Sequence, residues 1–264
     1  MSPSKENHQT NGRTWRNHFP DGDLWVFGYG SLIWKPPPHY GQVCCINETI
    51  RFDCLLKLDA DNPCCSTDHR GTPEVPGRVV TVIEREFWET LDDPLAHLET
   101  ADSSTSRVWG AAYHIPVSHA EEVHDYLDER EIDGYTAHFT PFHAFGSTDV
   151  PETKPITCMV YIGQPTNPQF LRDSARREPQ DVAEVISRGR GQSGKNTEYL
   201  YWLEKALESV GLGSADGHVT DLVRRVKAIE DADEAAREEN AAERDLKKSL
   251  SRSEEEAHQN IGSE

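Results

Sequence analysis

The chain has 264 residues, 28% of them charged, and a formal net charge of −19. That length suits one large domain or two small ones, and the acidic balance argues against the broad basic face needed to bind nucleic acid or an anionic membrane. No run approaches the ~20 apolar residues of a membrane span and no apolar signal segment opens the chain, so a soluble, cytoplasmic protein with reduced thiols is expected.

Residues 1–22 are polar and rich in Asn, Ser and Gly, which predicts a disordered start. Order is expected from residue 23, with Leu24-Trp25-Val26-Phe27 as a buried strand that ends in a tight turn at Gly28. Further strands are predicted over 78–83, 108–115, 135–140 and 156–162, all rich in β-branched or aromatic residues. Ser118-x-x-Glu121 has the form of a capping box, and the helix behind it stops near Arg130. A second helix is predicted from Pro179 to about Arg188, with Val182, Val185 and Ile186 inward. A third starts near Asn196, read as its N-cap, and carries Tyr199, Leu200, Leu203 and Leu207 on one face. A fourth covers residues 219–229. The domain is thus expected to span 23–229. From 230 to 264 the chain holds twelve acids against five Lys or Arg, a charged tail that is either a solvated helix or disordered.

Three segments could carry chemistry. In Phe27-Gly28-Tyr29-Gly30-Ser31-Leu32-Ile33-Trp34 two glycines flank a tyrosine directly after a strand. Such backbone can approach a ligand closely and offer N–H groups to an anion or developing oxyanion. Ile33 stands where a dinucleotide fingerprint needs a third glycine, and Leu32 where a nucleophile elbow needs one. An ordinary strand–turn remains the alternative. The second segment is Tyr126-Leu127-Asp128-Glu129-Arg130-Glu131. Asp128 and Glu129 read as solvated. Glu131 lies at or just beyond the helix C-terminus, where exposed carbonyls disfavour an ionised carboxylate and suit it to taking up and returning a proton. The third is Gly-rich and basic, Ser187 to Leu200. It misses the phosphate-loop pattern because Asn196 follows Lys195 and because a helix, not a strand, precedes it. Its plain alternative is a flexible interhelix loop. The six cysteines contain no C-x-x-C, so no metal site is expected. His69 is a weak candidate for a hydrolytic triad, since twelve histidines make such pairings cheap.

Taken in order, VFGYGSLIW, DHRGTP with PGRVVT, VWGAAYHI, YLDEREIDGY and SRGRGQSGKNTEYL resemble the ChaC family of glutathione-specific γ-glutamylcyclotransferases over about residues 24–229. The resemblance implies an α+β, γ-glutamylcyclotransferase-like fold: a small twisted mixed β-barrel with packed helices. It implies glutathione as substrate, no cofactor, and release of 5-oxoproline and cysteinylglycine. It puts the catalytic glutamate at Glu131 and the substrate loop at Gly28, Tyr29, Gly30, Ser31, Leu32 and Ile33. Tyr135 and Tyr199 become pocket candidates, against the alternative of core tyrosines. Arg78 becomes a candidate for a substrate carboxylate, against that of a surface arginine at a strand end. The chain departs from the family after Arg51-Phe52, where an aromatic-rich stretch is normal. Residues 43–65 hold five of the six cysteines and are expected to be an atypical insert or a replaced core strand. Two further readings stay open: a catalytically impaired γ-glutamyl binder, and a cyclotransferase for other γ-glutamyl amides. Oligomeric state is not predicted.

Overall fold

The structure, a computed structural model, describes residues 14–45, 50–51, 54–59, 70–72, 74–91, 107–131, 134–142, 156–167, 170–209 and 216–261. The strands are β1 (Leu24–Gly28), β2 (Gln42–Cys45), β3 (Ile50–Arg51), β4 (Cys54–Asp59), β5 (Val79–Glu84), β6 (Arg107–Val108), β7 (Ala111–Ile115), β8 (Tyr135–Phe142), β9 (Ile156–Gly163), β10 (Arg190–Gly191) and β11 (Gly194–Lys195). The helices are α1 (Arg85–Trp88), α2 (Ala120–Arg130), α3 (Pro179–Arg188), α4 (Asn196–Ser209) and α5 (Gly217–Ile261).

Among the described residues, seven strands form one mixed sheet in the order β2-β7-β1-β9-β5-β4, with β8 also on β9. One edge of β9 is taken by β8 in antiparallel register along its whole length. The other edge is shared by two parallel neighbours, β1 at Met159 and β5 at Gly163. The sheet is mixed, as expected. The described strands do not close into a barrel, because the path ends on β2 and β4.

The strands are apolar on both faces because both are covered. On one face Leu24, Val26, Ala111, Tyr113, Ile115, Met159 and Tyr161 pack against Val123 and Leu127 of α2. The alternate residues Phe27, Ala112, Cys158, Val160 and Ile162 form a second cluster. Helices α3, α4 and α5 build a third, into which Val80, Tyr29, Ile33 and Trp34 project.

Several expectations change. Order starts at Thr14, not at residue 23: Trp15 and Phe19 bury themselves beside α2, so apolar anchors override the polar composition. Residues 1–13 lie outside the described ones. The expected strand 108–115 is broken at Gly110, where any Cβ would come within 2.1 Å of the Gly28 carbonyl oxygen. The capping box does not form. Helix α2 starts after His119 with no side-chain cap, and Glu121 instead pairs with Arg16 at 2.9 Å. Ala183 rather than Val185 is fully buried on α3. Much of 43–65 lies outside the described residues, but the backbone of β4 pairs with β5 over six positions. The helix read over 219–229 continues unbroken to Ile261, and from residue 231 to 252 every position is exposed.

Candidate active site

The Gly28–Ile33 loop leaves the sheet at the end of β1 and closes into a single 3₁₀ turn, Ser31–Ile33. The turn is fastened by Ile33 N–H to Gly30 O at 2.9 Å and Lys35 N–H to Ser31 O at 2.8 Å. Its own hydrogen bonding leaves the N–H groups of Ser31 and Leu32 outside the turn. Both glycines are needed for close approach. A Cβ on Gly28 would lie 2.5 Å from that of Leu32, and one on Gly30 would lie 2.8 Å from Val80 Cγ1. The loop also ties the clusters together: Leu32 enters the α2 cluster while Tyr29 and Ile33 enter the α3–α5 cluster. Tyr113 anchors it from β7, its hydroxyl reaching the carbonyls of Leu32 and Ile33 at 2.8 and 3.2 Å.

Glu131 is the C-cap of α2, its N–H donating to Leu127 O at 2.8 Å. Its side chain is 22% exposed. Arg130 connects it to the loop. The buried guanidinium donates to Ser31 Oγ at 2.5 Å and lies 3.3 Å from the Glu131 carboxylate. The Arg130 guanidinium thus sets a cation beside the Glu131 carboxylate.

Two phenols complete this side. Tyr29 donates to Tyr161 O at 3.0 Å, and Tyr161 donates to Asp128 Oδ1 at 2.7 Å. Burial pushes the Tyr29 hydroxyl well above its ordinary range, with Tyr135 and Glu131 adding to the rise. Burial also raises Tyr161, helped by its bond to Asp128 and by the charge of Glu131. Both remain protonated donors at neutral pH. Asp128 is exposed, as its sequence context implies, and it also accepts from Tyr161 and lies 3.4 Å from the buried His124. The charge of Glu131 thus acts on both Tyr29 and Tyr161.

The opposite wall is built from the basic Gly-rich segment, which is a hairpin of β10 and β11 rather than a loose loop. Asn196 does not serve as a simple cap. Its amide accepts from Arg78 N–H at 2.6 Å and donates to Arg78 O at 2.7 Å, standing in for a missing strand partner. Tyr199 is 4% exposed, and its hydroxyl accepts from Val80 N–H at 3.2 Å. A Cβ on Gly30 would sit 3.5 Å from that hydroxyl, so Tyr199 borders the loop. Arg78 is 1% exposed and donates to Gly77 O at 2.9 Å, which excludes the surface reading. Arg70 is buried beneath Trp202 at 5.0 Å and donates to Lys195 O at 3.1 Å, pinning the hairpin. The structure therefore sets Glu131 near the Gly28–Ile33 loop through Arg130, and Tyr199 beside Gly30, while Tyr135 packs against the α2 cluster and Arg78 is buried beside Asn196.

Residues 24–229 match the family described as ChaC-like protein. The chain belongs to the ChaC-like family. The ChaC-like chain is 39% identical to a Schizosaccharomyces pombe protein named glutathione-specific γ-glutamylcyclotransferase, over 79% of this chain and 94% of the relative. It is 34% identical to the Saccharomyces cerevisiae protein of the same name, over 75% and 91%. A crystal structure of a yeast γ-glutamyl cyclotransferase specific to glutathione superposes with a TM-score of 0.64 at 33% identity. It covers 78% of this chain and 96% of that one.

Sequence reasoning passed over Arg130, Asn196, Tyr161 and Tyr113. Arg130 looked like a helix-end charge and Asn196 like a cap, and nothing local marks a tyrosine that bonds to a loop some 80 residues away. Among the described residues, His39, His119 and Glu122 bring polar side-chain atoms within 4.8 Å of one another near the surface.

Proposed function

We propose that this ChaC-like chain is a glutathione-specific γ-glutamylcyclotransferase. The observation that carries the proposal is the junction of Ser31, Arg130 and Glu131, which holds a glycine-rich loop beside a proton-accepting carboxylate. The names of relatives across most of the chain's length support the substrate.

In glutathione the glutamyl α-nitrogen can reach its own γ-carbonyl carbon. Glu131 takes one proton from the α-ammonium, and the freed amine attacks. As the new C–N bond forms, the attacking nitrogen sheds a second proton, the bond to the cysteinyl nitrogen breaks, and the protons end on that leaving amine. The products are 5-oxoproline and cysteinylglycine, with no water consumed and no cofactor required. Holding the substrate folded for intramolecular attack is worth about 7–11 kcal/mol. Proton transfer through Glu131 adds roughly 10²–10⁴-fold. The N–H groups at Ser31 and Leu32 face the carbonyl oxygen as it becomes an oxyanion, and each such donor is worth about 3–4 kcal/mol.

Gly28, Tyr29, Gly30 and Ile33 form the remainder of the cradle, with Tyr135 and Tyr199 as its sides. Arg78 lends buried positive charge to the substrate's carboxylate side. The twisted strands around β9 serve as the small barrel of the family's fold. The place of action is the cytoplasm, and no helix of the described residues is long and apolar enough to cross a membrane.

Selectivity separates this reading from a broader cyclotransferase. Glutathione and γ-glutamyl-alanine, offered at equal concentration, are expected to yield 5-oxoproline from glutathione alone. Comparable release from both would make the chain a general γ-glutamyl amide enzyme.

A further inference from the structure

We propose that Asp128, backed by the buried His124, is a positioning residue that acts through Tyr161 to set Glu131 against the Tyr29 side of the substrate loop. The inference rests on the cyclotransferase reading above and adds to it two residues that take no part in the proton chemistry.

Tyr161 works as a strut. From β9 its hydroxyl reaches α2 and donates to Asp128 Oδ1 at 2.7 Å, while its main-chain carbonyl accepts from the Tyr29 hydroxyl at 3.0 Å. One residue thus touches both the helix that ends beside Glu131 and the loop that leaves β1. Tyr161 is 5% exposed, so its hydroxyl has little access to water and is costly to leave unpaired. A second tie runs from Arg130 to Ser31 Oγ. One tie would leave the helix end free to pivot about it; two, from neighbouring residues of α2 to different parts of the loop, fix both its distance and its rotation.

His124, Asp128 and Glu131 stand at i, i+4 and i+7, which puts them on one face of α2. Asp128 is exposed, and a lone surface carboxylate would turn freely into water. Here the oxygen that Tyr161 does not use, Oδ2, lies 3.4 Å from His124 Nδ1, and Asp125 Oδ1 lies 3.8 Å from the same nitrogen. That nitrogen is buried and has no hydrogen-bond partner among the described residues, so its contact with Asp128 is electrostatic. The imidazole is itself held, stacked on Trp15 with centroids 5.1 Å apart and planes 16° from parallel. Asp128 is therefore gripped between two buried rings, one on its own helix and one on the sheet.

The test compares wild type, Asp128→Ala, Asp128→Asn, His124→Phe and Tyr161→Phe as full chains. Asp128→Ala should lower kcat at least ~10-fold with KM changed less than about twofold, since a misplacement of about 1 Å can cost about 10²-fold. Asp128→Asn keeps an oxygen that accepts from Tyr161 and should recover most of the rate. His124→Phe keeps a ring on Trp15 and should lower kcat in the wild-type background but not in Asp128→Ala, just as Asp128→Ala should add nothing to Tyr161→Phe. A kcat for Asp128→Ala within twofold of wild type, or equal losses in both backgrounds, would overturn the proposal. A wild type that releases no 5-oxoproline would instead remove the cyclotransferase reading. The strut has its own readout, NMR of the chain carrying ¹³Cζ-labelled tyrosine. The Tyr161 and Tyr29 resonances should both move in Asp128→Ala and return towards wild type in Asp128→Asn. If either stays in place in Asp128→Ala, Asp128 does not act through Tyr161 on the loop and the proposal falls.

Discussion

Glu131 owes its position to its backbone and its nearness to the loop to its neighbour. The end of α2 fixes its position, and Arg130 bridges it to Ser31. Replacing Glu131 with Gln keeps the shape and hydrogen-bonding reach while removing the proton acceptor. The variant should melt like wild type and lose roughly 10²–10⁴-fold in 5-oxoproline release; a rate within a few-fold of wild type would assign the proton chemistry elsewhere. Away from the site, His138 offers a titration with a definite sign. Burial lowers its pKa below the ordinary value, only partly offset by Glu84. The unfolded chain therefore binds a proton that the folded chain refuses, and stability falls as pH drops below about 6.5. Thermal melts between pH 7.5 and 5.5 should show this slope in wild type and a shallower one in His138→Gln. Parallel slopes would mean that His138 titrates alike in both states.

At the scale of elements, the amide of Asn196 does the work of a strand edge. It satisfies both backbone groups of Arg78 just before β5 begins, and the next turn of α4 places Tyr199 on Val80. Asn196→Ala leaves a buried donor and a buried acceptor unpaired and should cost about 2–4 kcal/mol. Asn196→Asp should also destabilise, because it sets an oxygen against the Arg78 carbonyl; denaturant unfolding of the two variants checks both. The second element is α5. Its first turns bury Val219, Leu222, Val223 and Val226, and Tyr201 reaches Glu230. Beyond that every described side chain is exposed through residue 252. Ending the chain after Arg237 should therefore leave stability within about 0.5 kcal/mol of the full length. A larger loss would show that the outer helix packs on something.

For the whole molecule, the sequence was most informative where a signal is local. The apolar run of β1, the extents of α3 and α4, and the glycine turn at 28–30 all stand out because period and residue type act over a few neighbours. Tertiary contacts overrode local rules elsewhere. Trp15 and Phe19 order a polar start, Gly110 splits a strand to let Gly28 pass, and Glu121 leaves its capping role for Arg16. The pairing of Ser31 with Arg130 joins residues 99 apart and could not be read from spacing. Glu131 and the loop were legible as candidates; their junction was not. The reaction itself tests the account most directly. Purified chain incubated with glutathione alone should release 5-oxoproline and cysteinylglycine in equal amounts, with free glutamate absent. Glutathione left intact, or glutamate released in place of 5-oxoproline, would contradict it.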